Sequence, residues 1–288
     1  MNDTPLFSIL IANYNDGKYL KDALASVERQ TYQNYEVIIV DDRSTDNSKS
    51  ILQSLEPNPI YHIYYNDQNR GCGYTKRKCV EMSNGDICGF LDADDALTPD
   101  ALETMVNAHL EHREMSLIYS RYHFCNKTLT PLYTSAHQCP IPEGRTFLEY
   151  KRGSISHFVT FKKSFYNKTI GINEQFKIAE DLDLYFKLEE VGKTLFIDKP
   201  LYYYRNGTGN NTSLNENVIT AAYWEIIAKT DACRRRNLNY EIVELPIIEE
   251  ITNSIVSLKV TEIKQTREYK IGNYITHPKL VIKKIFHS

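Results

Sequence analysis

Through the first part of the chain, apolar residues fall in short unbroken runs separated by stretches with helical period. Phe7 to Ala12, Tyr35 to Val40, Ile60 to Tyr65 and Ile87 to Leu91 are continuously apolar rather than alternating, the pattern of strands buried on both faces. Between them, Leu20, Ala23, Leu24 and Val27 recur at helical spacing. A second helix is predicted from Ser44 or Thr45 through Leu55, and a third from Tyr74 to Met82. Asn13-Tyr14-Asn15-Asp16-Gly17 reads as a turn, with Asn15 or Asp16 capping the first helix. Thr98-Pro99-Asp100 starts a fourth helix, with Pro in its first turn, that runs to about His112. Strands alternating with such helices predict an α/β fold, a mostly parallel sheet flanked by helices.

Beyond Ser116 the pattern is mixed. Leu117 to Phe124, Phe158 to Phe161, Thr194 to Ile197 and Leu201 to Tyr204 read as strands, and Glu180 to Val191 as a helix. Cys125 to Arg145 is rich in turn residues and suits a hairpin or mobile loop. Two long helical patterns with a break at Pro246 follow from Glu216, so a principal domain over residues 1–215 and a helical extension over 216–288 are expected.

Ligands on parallel α/β sheets bind at the carboxyl ends of the strands. Here those ends carry Asn13-Tyr14-Asn15, Asp41-Asp42 and Asp92-Ala93-Asp94-Asp95, so clusters far apart in sequence converge on one rim. The last is the most informative. Its three carboxylates repel one another and gain nothing from packing. A divalent cation relieves that repulsion, and hard oxygen ligands favour Mg²⁺ or Mn²⁺. Such a metal at a strand end points to diphosphate chemistry. An EF-hand reading fails, because the loop glycine and the closing glutamate are missing.

The bulk properties narrow the classes. Net charge is -3 with 42% hydrophobic residues over 288 positions, which argues against a nucleic-acid binder driven by bulk charge. No signal core or run of about 18 apolar residues is present, so a cytoplasmic chain without a membrane span is expected. The 6 cysteines include no C-x-x-C pair and read as reduced thiols. N-x-S/T sequons begin at Asn2, Asn126, Asn167, Asn206 and Asn211 and read as chance. The tail from Lys259 to Lys284 interleaves basic and apolar residues. It suits peripheral contact with the anionic inner face of a membrane, or an arm folded on the core with its lysines in water.

Phe7-Ser8-Ile9-Leu10-Ile11-Ala12-Asn13-Tyr14-Asn15 resembles the opening strand of family 2 glycosyltransferases, which have the GT-A fold. Gln30-Thr31-Tyr32, Tyr35 through Asp46, Gly89 through Asp95, and Glu180-Asp181-Leu182-Asp183-Leu184 with Gly192 match in order and spacing, covering roughly residues 5 to 213. The resemblance implies an inverting enzyme that moves a sugar from a nucleotide-diphosphate donor, a UDP-sugar above all, to an acceptor hydroxyl. A carbohydrate or glycolipid acceptor in surface polysaccharide or lipopolysaccharide synthesis is the usual setting.

Residue by residue, the resemblance puts Ala12 and Tyr14 at the nucleobase and Asp42 on the base N–H, with Asp41 behind it. Asp94 is the direct metal ligand. Asp92 supports it through the ribose or a metal-bound water, with Ala93 between them at the donor. Asp95, next to them, would orient the acceptor or metal-bound waters. Apart from the resemblance, His157 precedes a strand near the expected acceptor side and could contact acceptor, or be an ordinary packed or solvent histidine. Asp181 is the catalytic base and Glu180 the runner-up, which more readily shapes the acceptor site. Considered alone, these carboxylates could also be an acidic first helical turn that favours the helix dipole.

Two positions depart from the family. Lys76 takes the place of an arginine facing the donor and keeps the charge without the planar fork, which Arg77 could supply. Tyr204-Arg205 is followed by Asn206-Gly207, where the family often has His, so Arg205 or the following backbone would replace that contact. Gly71-Cys72-Gly73 reads as a turn rather than a dinucleotide loop. The alternatives are a sugar nucleotidyltransferase, for which the first turn lacks a Gly-rich basic phosphate loop, and a catalytically silent nucleotide-sugar-binding protein. The particular sugar, the acceptor and the oligomeric state are left open.

Overall fold

A computed structural model describes residues 4–150, 153–208 and 217–239. In chain order the elements begin β1 (Phe7–Asn13), α1 (Gly17–Glu28), β2 (Tyr35–Asp41), α2 (Ser48–Leu55), β3 (Tyr61–Tyr65), α3 (Cys72–Met82) and β4 (Ile87–Phe90). They continue with β5 (Ala96–Leu97), α4 (Ala101–Glu111), β6 (Met115–Cys125), β7 (Pro131–Thr134), β8 (Val159–Lys162) and α5 (Lys163–Tyr166). Then come α6 (Glu180–Val191), β9 (Lys193–Arg205) and α7 (Asn217–Arg236). The strands make one sheet in the order β3-β2-β1-β4-β8-β6-β9-β5, with β7 outside on β6. β1 to β4 are mutually parallel, as their unbroken apolar runs predict. β8 is antiparallel to both β4 and β6, and β6 lies parallel to β9.

Alternate residues of each central strand feed different cores. Ile9, Ile11, Val37 and Ile39 pack beneath α1, α2 and α4, while Leu10, Ile38 and Val40 join the core under α3 and α6. With both faces covered, most positions are apolar and the strands read as nearly continuous runs; the buried exceptions, Ser8 and Glu36, hydrogen-bond each other. Each such side chain contributes roughly 1.5–3 kcal/mol of burial free energy.

The structure corrects several local expectations. Neither Asn15 nor Asp16 caps α1 with its side chain. The β1–α1 and β2–α2 loops cap each other instead: Asp46 accepts the Gly17 N–H at 2.9 Å, and Asn15 Oδ1 accepts the Thr45 N–H at 2.7 Å. α4 begins at Ala101, so Pro99 precedes it. The two strands expected near residues 194–204 form one, β9, whose register on β6 shifts around Arg121 and Pro200, since proline offers no N–H to the ladder. β5 is only 2 residues long and left no readable period. The turn-rich segment after Cys125 does form a hairpin, β7 against β6.

The expected domain boundary at 215/216 falls outside the described residues, as do the second C-terminal helical pattern and the basic tail. α7 packs on α6: Arg235 and Arg236 pair with Glu190, Arg236 also with Glu189, and Ala228, Ala232 and Cys233 are fully buried. No helix among the described residues is long and apolar enough to cross a membrane. The cysteines are free thiols.

Asp183 and Lys187 on α6 form a buried pair at 2.5 Å, with the Lys187 ammonium also donating to Gly171 O at 2.8 Å. Removing Lys187 leaves the buried Asp183 carboxylate with Arg235 at 3.7 Å as its remaining cation. Lys187→Met is therefore expected to lose about 3 kcal/mol in chemical denaturation, more than the double variant Asp183→Leu/Lys187→Met. Equal losses would show that the Asp183 charge is not left uncompensated.

Candidate active site

The carboxyl ends of β1, β2 and β4 and the start of α6 open into one cavity of about 760 Å³, a size that holds a ligand far larger than a monosaccharide. Ala12, Tyr14, Asp42, Lys76, Asp92 to Asp95, His157, Glu180 and Asp181 all line it. The expected convergence of the clusters is therefore what the sheet produces. Parallel strands end on the same side, and β1, β2 and β4 are adjacent.

Each side chain has a local reason for its position. Tyr14 stands 45% exposed above the β1 turn, its ring open to a ligand. Asp42 is buried. Its Oδ1 accepts from Asn66 Nδ2 and Arg70 N, both at 2.8 Å, and its Oδ2 from Gly71 N at 2.8 Å. It thereby ties the 66–71 loop to β2. Gly71 has a φ of +89° at the entry to α3, where a side chain would be strained. Gly73 allows α3 to approach the 173–176 segment: a Cβ there would stand 2.6 Å from Asn173 O and Phe176 O. Gly71 is thus the turn, and Cys72-Gly73 is already helix.

At the acidic turn, Asp95 is fully buried. Its Oδ1 accepts the Arg205 N–H at 2.7 Å, and among the described residues no donor meets its Oδ2 in good hydrogen-bond geometry. Burial and the neighbouring Asp94 carboxylate raise the Asp95 pKa well above the usual range, and burial with Asp92 raises that of Asp94. Ligand atoms of Asp92, Asp95 and His157 lie within 4.8 Å of one another. An under-satisfied buried oxygen, a second carboxylate and an imidazole are a donor set that suits a divalent cation. Asp94, the direct ligand that the resemblance implies, is adjacent but not in this converging set.

His157 has a φ of +24° and sits over Tyr204, ring centroids 4.3 Å apart. Burial lowers its pKa to about 4, so it is neutral near pH 7 and free to accept or ligate. Asn15 and Ala179, which also line the cavity, hold φ of 58° and 63°. Strained residues collect where the surroundings over-determine them, commonly at functional sites.

Ala179 starts α6 in the left-handed conformation and turns Glu180 and Asp181 into the cavity. Glu180 is buried and engaged: its Oε1 lies 2.7 Å from Lys76 Nζ and accepts Cys72 Sγ at 3.2 Å. Lys76 also reaches Asp92 Oδ1 at 3.8 Å. Burial would lower the Lys76 pKa, but Glu180 overrides it and holds the ammonium well above its ordinary value. Asp181 stays partly open to the cavity. Burial and the Glu180 charge lift its pKa to about 6, with Lys76 opposing.

Three expected donor contacts are placed elsewhere. Asp41 turns inward, where its Oδ1 accepts from Asn13 Nδ2 at 2.7 Å and Ser44 Oγ at 2.6 Å, and it braces the loops without lining the cavity. Arg77 leaves the cavity for Glu81 at 2.8 Å, Glu174 at 3.3 Å and Ile172 O at 3.1 Å, so it does not supply the fork. Arg205 is buried behind the acidic turn. It donates to Asp94 O at 2.6 Å, Lys127 O at 2.7 Å and Asp22 at 2.7 Å, which makes it a brace for the carboxylates.

The cavity also holds residues that sequence reasoning missed. Tyr185 stands one helical turn after Asp181, and that i,i+4 spacing could have revealed it. Cys72 was hidden in the Gly-Cys-Gly turn. Glu225 and Lys229 on α7, paired at 2.9 Å, arrive from a helix that carried no readable motif.

A Rossmann-like, mostly parallel sheet with a carboxylate-lined cavity at its carboxyl edge is a GT-A-type fold. The family model for glycosyl transferase family 2 matches residues 8–172, and the chain belongs to that family. It is 28% identical over 291 residues to the chondroitin synthase of Pasteurella multocida (strain Pm70), covering 95% of this chain and 29% of that protein. The chain thus spans under a third of that relative's length. Among solved structures, S. aureus TarS 1-349 in complex with UDP-GlcNAc aligns with a TM-score of 0.60 at 19% identity, covering 77% of this chain and 66% of that one. The mannosyltransferase PcManGT of Pyrobaculum calidifontis, in complex with GDP-Man and Mn²⁺, aligns with a TM-score of 0.57 at 12% identity, covering 94% and 83%.

Because Lys76 holds down the Asp181 pKa, its removal has a signed effect. In Lys76→Met the Asp181 pKa is expected to move upward from about 6, while Lys76→Arg keeps it in place. Carboxylate chemical shifts followed against pH by NMR read this directly. An unmoved titration in Lys76→Met would separate Lys76 from the Asp181 charge.

Proposed function

We propose that the protein is an inverting, metal-dependent glycosyltransferase that transfers a sugar from a UDP-sugar to a carbohydrate or glycolipid hydroxyl in the building of a surface polysaccharide. The observation that carries this reading is the joint lining of one cavity by Tyr14, Asp42, the Asp92–Asp95 turn and Asp181. The polysaccharide setting is supported by the chondroitin synthase relative, and the donor class by the nucleotide-sugar complexes of the structural neighbours.

In this reading the base lies against the Tyr14 ring. Asp42 Oδ1 already accepts two N–H groups, so Oδ2, which accepts one, is the atom left to take a base N–H. Asp92 and Asp94 would hold the metal as the resemblance implies, and Asp95 and His157, which converge on Asp92, would offer further oxygen and nitrogen donors. A bound Mn²⁺ or Mg²⁺ would offset the charge that grows on the departing diphosphate. Lys76, facing the same space, adds a fixed positive charge.

Asp181 takes the proton of the attacking hydroxyl as that oxygen bonds to the anomeric carbon opposite the leaving diphosphate. A base works as its carboxylate, and this one's pKa is raised to about 6, so turnover is full above that pH and falls below it. Glu180, held by Lys76 and Cys72, is unsuited to the same task. Peripheral contact of the basic tail with an anionic membrane surface stays part of the proposal, on sequence grounds.

Thermal-shift and hydrolysis screens of UDP-, GDP- and dTDP-sugars with and without Mn²⁺ test the donor class, and no stabilisation by any nucleotide would sink it. Asp181→Asn is expected to lower transfer by about 10²–10⁴-fold with nucleotide binding unchanged. Wild-type turnover in that variant would be incompatible with its role as base. Comparing Mn²⁺ affinity in Asp94→Asn and Asp95→Asn tells which carboxylate binds the ion.

A further inference from the structure

The β6–β7–β9 corner carries a row of aromatic rings, of which the donor reading uses only His157 at the inner end. Register places Phe124 of β6 beside Tyr133 of β7 and Tyr204 of β9, so the three rings stand side by side on one face of the sheet. Phe124 and Tyr133 are stacked, centroids 4.8 Å apart and planes 12° off parallel. Phe124 and Tyr204 follow at 5.7 Å, and Tyr204 stacks on His157 at 4.3 Å. Tyr204 and His157 line the cavity, whereas Tyr133 is 55% exposed on a strand that pairs only with β6. The row therefore runs without a break from open solvent to the cavity wall.

We infer that this row is the track along which the non-reducing end of a carbohydrate chain approaches the cavity. The inference rests on the proposed glycosyl transfer and assigns its acceptor subsite. Pyranose rings present C–H faces that pack on aromatic faces, and their hydroxyls seek polar tips; tyrosine offers both. One face of the Tyr133 ring is covered by Phe124, so its free face and hydroxyl are what solvent meets. A lipid surface would call for basic residues beside the rings, yet Pro131-Leu132-Tyr133-Thr134 is uncharged. Continuity with the cavity sets the direction: the sugar nearest Tyr204 and His157 is the one whose hydroxyl reaches the reaction centre.

The 288-residue chain and its variants Tyr133→Ala, Tyr133→Phe and Leu132→Ala (on the other face of β7) can be compared on an array of purified capsular and cell-wall polysaccharides with glycosaminoglycan oligosaccharides. UDP thermal shift and pelleting with phosphatidylglycerol/phosphatidylcholine vesicles run alongside. Wild-type protein and Leu132→Ala are expected to retain at least one polymer. Tyr133→Ala is expected to bind it about tenfold more weakly with an unchanged UDP shift, while Tyr133→Phe keeps most of the affinity. No retained polymer, equal retention by Tyr133→Ala, or loss of vesicle binding in its place would overturn the inference. Tyr133-dependent glycan binding without any nucleotide shift would instead overturn the donor reading and leave the track standing.

Discussion

Asp92, Asp94, Asp95, Glu180 and Asp181 crowd the carboxyl edge of one sheet, and two inward cations, Lys76 and Arg205, hold them there. At such distances, partly out of water, like charges repel by several kcal/mol unless something intervenes. Arg205 intervenes from behind: its guanidinium joins the Asp94 carbonyl to Asp22 of α1, and its backbone N–H holds the Asp95 carboxylate. Lys76 intervenes from the front, neutralising Glu180 and leaving Asp181 as the carboxylate with a free lone pair toward the cavity. What the two cations leave least compensated is the pair Asp94 and Asp95, whose raised pKa values mark the place of the proposed divalent ion.

The rest of the architecture serves that arrangement. α3 can bring Lys76 to Glu180 because Gly73 lets the helix touch the 173–176 segment. α6 can aim Asp181 because Ala179 accepts a left-handed backbone at its start. The strain at Asn15, His157 and Ala179 is carried by packing around them, in particular the Tyr122, Tyr202 and Tyr204 rings about His157. α7 closes the wall on one side, and its arginine pairs with Glu189 and Glu190 fix it on α6.

Most of the first half of the fold was legible in the sequence, since β1 to β4 are buried on both faces and announce themselves as unbroken apolar runs. The second half was less so. β5 is too short for a period, β9 continues through Pro200 where the pattern breaks, and β8 lies antiparallel between parallel neighbours. Candidate site residues at strand ends, apart from the inward-turned Asp41, were found where they stand, because the end of a parallel strand has one possible rim. Arg77 and Arg205 were not, because a side chain as long as arginine can leave the rim its backbone occupies, and both found carbonyls and carboxylates elsewhere.

The order of strand, turn and helix, and the carboxylates placed at each turn, came from the sequence alone, since period and turn chemistry are local. Tertiary structure decided which charges pair: Lys76 with Glu180 and Cys72, Arg205 with the acidic turn, and Asp181 with neither. It also decided that Tyr133, Phe124 and Tyr204 form a row, because cross-strand register is set by pairings between segments up to 80 residues apart in the chain. Electrostatic and packing partners are distances in space, and the chain order does not contain them until the sheet has assembled.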